Sequence, residues 1–334
     1  MKFDLQKKQA IILYLLEKIE SNDASPVQSV IKTFNVNKTT IYSYINELIE
    51  QKIIEKLGRN KYNLITKNTI YNFKRSKGEL DSDTYIFNTC FKKYIEHLPS
   101  NICQMWLYAF SEMTNNVIDH SMAEDVTVLV KQNYLNTTAI IVDTGVGIFN
   151  KIKDHFNFET LDDAICELFK GKLTTDSKNH SGEGIFFSSK TMDSFFILSS
   201  NKVFATTKYQ NSIVESFDEI KSGTCVFMQL SNHSKKQLVD IFDTYADVDG
   251  GFTKTTITLK NIFETSPVSR SQAKRVCNRL DSFEEVIFDF DGVDWMGQGF
   301  AHQVFNVFAK ERPNIKLTII NANEDILKMY NHVK

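Results

Sequence analysis

The chain has no cysteine pattern, no long apolar run and almost no net charge, and each absence removes a class of answers. Its five cysteines, Cys90, Cys103, Cys166, Cys225 and Cys277, are scattered, with no C-x-x-C pair and no neighbouring histidine. Neither a structural zinc nor a disulfide framework is expected. No stretch approaches the roughly 20 apolar residues that cross a bilayer, so no membrane partner is expected. The apolar run 10–16 is followed at once by Glu17, Lys18 and Glu20. That is the pattern of an amphipathic helix rather than a signal peptide, and it points to a reducing cytoplasm. The formal charge of -2 excludes a uniformly basic coat.

What is present is ordinary globular material, unevenly charged. With 334 residues, 42% of them hydrophobic and 24% charged, the chain is long enough for two or three domains with sizeable cores. Residues 1–67 hold 11 Lys plus Arg against 7 Asp plus Glu, a balance of +4 that leaves -6 for the remainder. The total hides a basic N-terminal part.

That part reads as three helices and a hairpin. Leu5, Ile11, Ile12, Leu15, Leu16 and Ile19 form one apolar stripe. Pro26 opens a second helix, and a third is expected over 38–51 with Ile41, Ile45, Leu48 and Ile49 inward. The hairpin 53–65 turns at Gly58-Arg59-Asn60-Lys61. The arrangement resembles a winged helix-turn-helix over 1–66. Recognition helices place small, hydrogen-bonding residues where base edges can be reached. Lys38, Thr39, Thr40, Ser43 and Asn46 fit that demand, with Arg59 and Lys61 as backbone or minor-groove contacts. Such modules also serve as protein adaptors, and +4 is a modest charge. DNA is the expected partner, and the adaptor stays open.

A polar stretch, 67–83, reads as a connector. Beyond it stand Glu112-Met-Thr-Asn-Asn116, Asp143-Thr-Gly-Val-Gly147 and Gly182-Glu-Gly184, with Gly223-Thr224 later. Glu112 and Asn116 are one helical turn apart and share a helix face. Two strands are expected at 125–132 and 137–142, a helical and polar excursion over 151–180, and further strands at 195–200, 203–208 and 224–230. This is α+β order, not the βαβ order of a Rossmann or P-loop fold.

The four motifs, in this order over 84–230, resemble the GHKL superfamily of DNA gyrase, the ninety-kilodalton heat-shock chaperones, histidine kinases, MutL-type repair proteins and bacterial anti-sigma serine kinases. The resemblance implies a two-layer α/β Bergerat-type domain over 84–232 that binds ATP and Mg²⁺. Asn116 would ligate Mg²⁺ through its amide oxygen, and Glu112 would orient or deprotonate the attacking group. Asp143 would accept from the adenine amine. Gly145 and Gly147 would admit close backbone approach, Gly182 and Gly184 would precede a helix N-terminus facing phosphate, and Thr224 would bond near the base. His120 resembles a position in the anti-sigma kinases, although a structural histidine fits it too. Segment 149–181 would form a lid, with Lys172 or Lys178 candidates for the γ-phosphate and Lys190 open. No convincing His-Glu/Asp acceptor precedes the domain, which disfavours histidine autophosphorylation.

From 247 to 334 strands and helices alternate, implying a mostly parallel sheet. Ser269-Arg-Ser-Gln-Ala-Lys-Arg275, Asp289-Phe-Asp-Gly-Val293 and Gly297-Gln-Gly-Phe-Ala301 resemble a STAS-like domain of unknown function. Antagonists of the STAS class carry a phosphorylatable serine where the central strand meets the next helix. Here that loop, 294–300, has no hydroxyl residue, and Ser269 and Ser271 read better as helix caps. The overall expectation is a multi-domain α+β bacterial regulator that couples nucleotide state to DNA binding, with a protein partner on the STAS-like domain. A serine kinase acting in trans on a STAS partner, or a dimerising ATPase clamp, are the alternatives. A homodimer is compatible with each.

Overall fold

The computed structural model describes residues 5–173, 182–206, 222–246, 251–263 and 265–334, a mixed α/β chain built around separate hydrophobic cores. The first core comes from helical stripes. Helix α1 (Leu5–Glu20) buries Ile11, Leu15, Leu16 and Ile19 against α2 (Pro26–Phe34) and α3 (Lys38–Glu50). Pro26 sits in the first turn of α2, where a missing N–H costs nothing. Asn37 caps α3, its Oδ1 accepting from the Thr40 amide at 2.8 Å and the Thr40 hydroxyl at 2.7 Å. Strands β1 (Ile54–Gly58) and β2 (Lys61–Leu64) pair antiparallel and return Ile54 and Tyr62 to this core.

The second unit is a six-stranded antiparallel sheet in the order β3-β4-β5-β8-β6-β7. Its strands are β3 (Lys67–Lys74), β4 (Asp125–Gln132), β5 (Asn136–Asp143), β6 (Ser194–Ser199), β7 (Lys202–Ala205) and β8 (Thr224–Ser231). On one face lie α4 (Asp83–Ile86), a π-helical turn at Phe87–Phe91, α5 (Lys92–Ile95) and α6 (Ser100–Asn116). Helix α6 turns Met105, Trp106, Ala109, Phe110 and Met113 toward the alternating Val126, Val128 and Val130 of β4. Phe91 stacks on Phe110 with ring centres 4.7 Å apart, which anchors α6 from behind. The central strands are buried on the opposite face too, where Phe196 and Phe227 stack at 4.6 Å beside Ile140, Leu198 and Cys225. Burial on both faces explains why β6 and β8 read as apolar runs rather than as alternation.

The stretch expected to be a connector is an edge strand. Residues 67–74 pair in full register with β4, from Lys67 opposite Gln132 to Lys74 opposite Asp125. Thr69, Tyr71 and Phe73 face inward while the residues between them are exposed, so the strand is half polar. Its partner lies far along the chain, and local pattern did not reveal the pairing.

Between β5 and β6 run α7 (Ile148–Phe156), α8 (Leu161–Lys170) and α9 (Gly184–Thr191). Thr160 and Asp163 form a reciprocal capping box at the start of α8. The expected strand 203–208 is represented by β7, while Thr207 and Lys208 lie outside the described residues.

The third unit is a parallel sheet ordered β11-β10-β9, from β9 (Lys254–Thr258), β10 (Glu285–Asp289) and β11 (Lys316–Ile320). Parallel pairs require crossovers, supplied by helix Arg270–Cys277 and by Gln298–His302, which continues through a π-helical turn at Gln303–Phe308. Helix Leu238–Tyr245 was not anticipated. Its Ile241 packs against both the second and third cores, and Phe242 meets Phe187 at 4.4 Å and Tyr108 at 5.3 Å. Among the described residues no helix is long and apolar enough to cross a membrane.

Candidate functional site

The site is assembled at the C-terminal end of α6. Glu112 and Asn116 project from one face, half-buried, and the helix then widens into a π-helical turn over Val117–Ser121 that presents His120 and Ser121. Arg75, from the turn after β3, closes this helix end by donating from Nε to the Ala123 carbonyl at 2.9 Å and from Nη2 to the Ile118 carbonyl at 3.0 Å. A guanidinium, with several N–H donors, is well matched to two carbonyls at and just beyond a helix end.

The loop after β5 is locked onto that end. The Val146 amide donates to the Ser121 carbonyl at 3.0 Å. A side chain at Gly145 would bring its Cβ to 1.9 Å from the same oxygen, which only glycine avoids. At Gly147, with φ +80°, an added Cβ would come to 2.7 Å from Ser199 Oγ.

Asp143 ends β5, paired with Thr224 on β8 and Val126 on β4, and is 2% exposed. Its Oδ1 accepts from the Gly145 amide at 2.8 Å. Burial holds its carboxyl above the usual aspartate range, while the Gly145 and Thr224 amides and the Thr224 hydroxyl pull it part of the way back. Thr224 Oγ1 also accepts from the Ile148 amide at 3.1 Å, tying the start of α7 to β8. A desolvated carboxylate of this kind favours a ligand that brings N–H donors.

Across from α6 stands the N-terminus of α9. A Cβ on Gly184 would fall 2.0 Å from Glu112 Oε2, so this glycine is what lets α9 approach the carboxylate. Glu112, Asn116, Asp143, Gly147, Gly182, Gly184 and Thr224 all line one cavity of about 230 Å³. Gly145 does not line it; it packs behind, against Ser121. Apolar side chains, Met113, Ile152, Leu168, Leu173 and Ile185 among them, complete the wall. His120 and Lys151 also line the cavity, and Lys151 Nζ donates to the His120 carbonyl at 2.9 Å.

The other basic candidates lie elsewhere. Lys172 donates to the Ser282 carbonyl at 2.8 Å and sits over the Phe252 and Phe283 rings, facing the third unit rather than the cavity. Lys190 packs over Phe186 and Tyr245, and burial pulls its ammonium below the usual lysine range. Lys178 lies outside the described residues. Burial raises all five cysteine thiols, those of Cys90, Cys225 and Cys277 up to about 12 and that of Cys166 to about 11. No group of three or more His, Cys, Asp or Glu residues suited to a metal occurs among the described residues.

On the N-terminal unit, Lys38, Thr39, Ser43, Asn46, Arg59 and Lys61 are exposed and share the α3 and hairpin surface. Thr40 is different, because its amide and hydroxyl are both spent on Asn37. Tyr42 Oη donates to Asn60 Oδ1 at 3.0 Å and so fixes the hairpin tip against α3. The unit is docked on the β4–β5 turn, where the Glu20 carboxylate accepts from Asn133 Nδ2 at 2.9 Å and Asn136 Nδ2 at 3.0 Å. Leu135 of that turn enters the N-terminal core.

In the C-terminal unit Ser269 is a helix cap, its Oγ accepting from the Gln272 amide at 3.2 Å while Gln272 reaches back to the Ser269 amide. No curated protein matches the chain. Residues 272–327 match the family model of a STAS-like domain of unknown function (DUF4325), and the C-terminal region is therefore STAS-like.

Proposed function

We propose that this chain is an ATP- and Mg²⁺-binding regulator of the GHKL type, whose nucleotide state biases an N-terminal winged helix-turn-helix and a C-terminal STAS-like domain. The observation that carries the reading is convergence. Seven residues named from four separate motifs line one cavity although they come from α6, β5, β8 and the approaches to α7 and α9. Asp143 is the base selector, since an ionised carboxylate accepts from adenine and opposes the carbonyl that guanine presents at the same position. Asn116 offers one amide oxygen to Mg²⁺, the remaining ligands being phosphate oxygens and water, as this hard ion prefers. Bound there, the ion would neutralise phosphate charge. The α9 N-terminus would present backbone N–H groups to phosphate, and Glu112, against Gly184, is placed to orient an attacking oxygen.

ATP with Mg²⁺ is expected to bind the full chain and GTP to bind at least about tenfold more weakly, one lost or reversed hydrogen bond to a charged group being worth roughly 1.5–3 kcal/mol. Equal binding of the two, or no binding of either by titration calorimetry, overturns the reading. Radiolabelled ATP then sorts the alternatives. Released phosphate means an ATPase, label on an added STAS protein means a kinase in trans, and intact retained ATP means a switch without turnover. Phosphorylation of its own STAS-like domain is disfavoured, because Ser269 is engaged as a cap and the 294–300 loop has no hydroxyl.

DNA is the partner proposed for the exposed α3 and hairpin surface. Binding should weaken as salt rises, and an Arg59→Ala/Lys61→Ala variant should bind more weakly on every sequence, with the slope of log affinity against log salt reduced by about 1–2. A gel shift that is absent, or insensitive to salt, makes the unit a protein adaptor.

A further inference from the structure

Helix α8 belongs to two structures at once. Its Leu168, followed by Leu173 just beyond its end, lines the nucleotide cavity, and Ala164, Ile165 and Phe169 join the core of the sheet. Its other face is embedded in the C-terminal unit, where Cys166 joins the core formed by β9, β10 and their helices.

The contact on that face is polar, buried and specific. Lys170 and Glu167 pair at 2.6 Å with side chains 1% and 4% exposed. The Lys170 ammonium spends its other donors on the Arg275 carbonyl at 3.0 Å and the Asn278 carbonyl at 2.7 Å. These carbonyls end the helix Arg270–Cys277, the negative pole of its dipole, so a lysine of the second unit caps a helix of the third. Glu167 is held in turn by Asn278 Nδ2 at 3.3 Å and Arg279 Nε at 3.6 Å. Asp163, in the capping box of α8, pairs with Arg275 at 2.7 Å, and Thr255 on β9 donates to the Lys170 carbonyl at 2.8 Å.

Such a joint is poorly suited to partial movement. An apolar interface can slide, but a buried ammonium must keep its acceptors or return to water, which gives the contact two discrete states. Plain adhesion is served as well by apolar side chains of similar volume, so retention of an ion pair here fits a device that specifies one arrangement.

We propose that the STAS-like unit is clamped to the wall of the nucleotide cavity through Lys170 and Glu167, so that nucleotide occupancy and docking of this unit are one coupled equilibrium. The proposal rests on the ATP reading above and adds its direction of output. ATP favours the α8 position that the clamp holds, and by linkage the docked STAS-like unit tightens ATP binding by the same factor. Lys170 is a positioning residue; it does not line the cavity.

Hydrogen exchange on the full chain, with and without ATP and Mg²⁺, tests this. ATP is expected to slow exchange both at Gly184–Phe186 and in the helix Arg270–Cys277. In the charge-free pair Glu167→Gln/Lys170→Met the first effect should remain and the second disappear, and the Kd for ATP should rise about fivefold or more. A Lys170→Arg variant should restore part of the coupling. Thr255→Val, which removes one bond from the same joint, supplies a milder variant should the pair fold poorly. Protection at Gly184–Phe186 without any change at 270–277 in the unmodified chain overturns the coupling and leaves the ATP site standing. Unchanged ATP affinity in the folded pair does the same. No protection at either place removes both proposals together.

Discussion

Substituting Glu112 with alanine is expected to lower ATP hydrolysis or phosphotransfer by roughly 10²–10⁴-fold while leaving ATP affinity nearly unchanged, the range typical of losing a positioned general base. The reasoning is geometric. Glu112 Oε2 lies against Gly184 at the head of α9, where phosphate would be held, whereas the base would lie beside Asp143 and Thr224. A group placed to act on the attacking oxygen contributes more to the transition state than to the bound ground state. Single-turnover phosphate release and equilibrium nucleotide binding, measured on the same preparation, separate the two effects. Turnover that survives in the alanine variant, or affinity that falls with it, rules out this role for Glu112. Removing the side chain also relieves the tight approach of Gly184, so the variant should fold.

Asp143→Asn should weaken ATP binding by about 10–150-fold, the equivalent of losing one hydrogen bond to a charged group. The asparagine keeps the shape and can still accept from Gly145, but its amide nitrogen meets the adenine amine donor to donor. The same carboxylate makes binding sensitive to pH. Burial raises its pKa in the folded chain, so Asp143 takes up a proton at a higher pH than an ordinary aspartate. As pH falls through that raised value the acceptor is lost, and ATP affinity should fall with it. In Asp143→Asn this acid-side fall should vanish.

Stability of the empty protein runs the other way. Where the folded carboxyl holds a proton that the unfolded one has released, stability decreases as pH rises from the ordinary aspartate range through the folded value, and stays at the lower level above it. At neutral pH the asparagine variant should therefore melt no lower than the unmodified chain. A variant that loses both fold and binding, or that keeps normal affinity and the acid-side fall, removes Asp143 from its proposed role.

The parts of the cavity that carry motifs were legible because their chemistry is local. Glu112 and Asn116 share a face at any helix, whatever surrounds it, and Gly147 and Gly184 announce close approaches. The reason for Gly145 was only half legible. Its freedom serves contact with the Ser121 carbonyl rather than the cavity, and Ser121 is displayed by a π-helical turn that no periodicity signals. Strand β3 was missed because it alternates weakly and pairs with β4, which begins only at Asp125. Arg75 was missed with it, since an arginine in a polar stretch looks solvated until the helix end it closes is brought to it.

By itself the sequence determined the order of the units, the helices and strands with strong periodicity, and the motif residues that meet in the candidate cavity, because these depend on spacing along one element. Only the tertiary structure decided which faces of α8 and of helix Leu238–Tyr245 meet which core, and that Lys172 and Lys170 turn to the STAS-like unit rather than to the cavity. The physical reason is that periodicity records that a face is buried, while its partner is chosen by packing and by the carbonyls and charges that distant segments bring within reach.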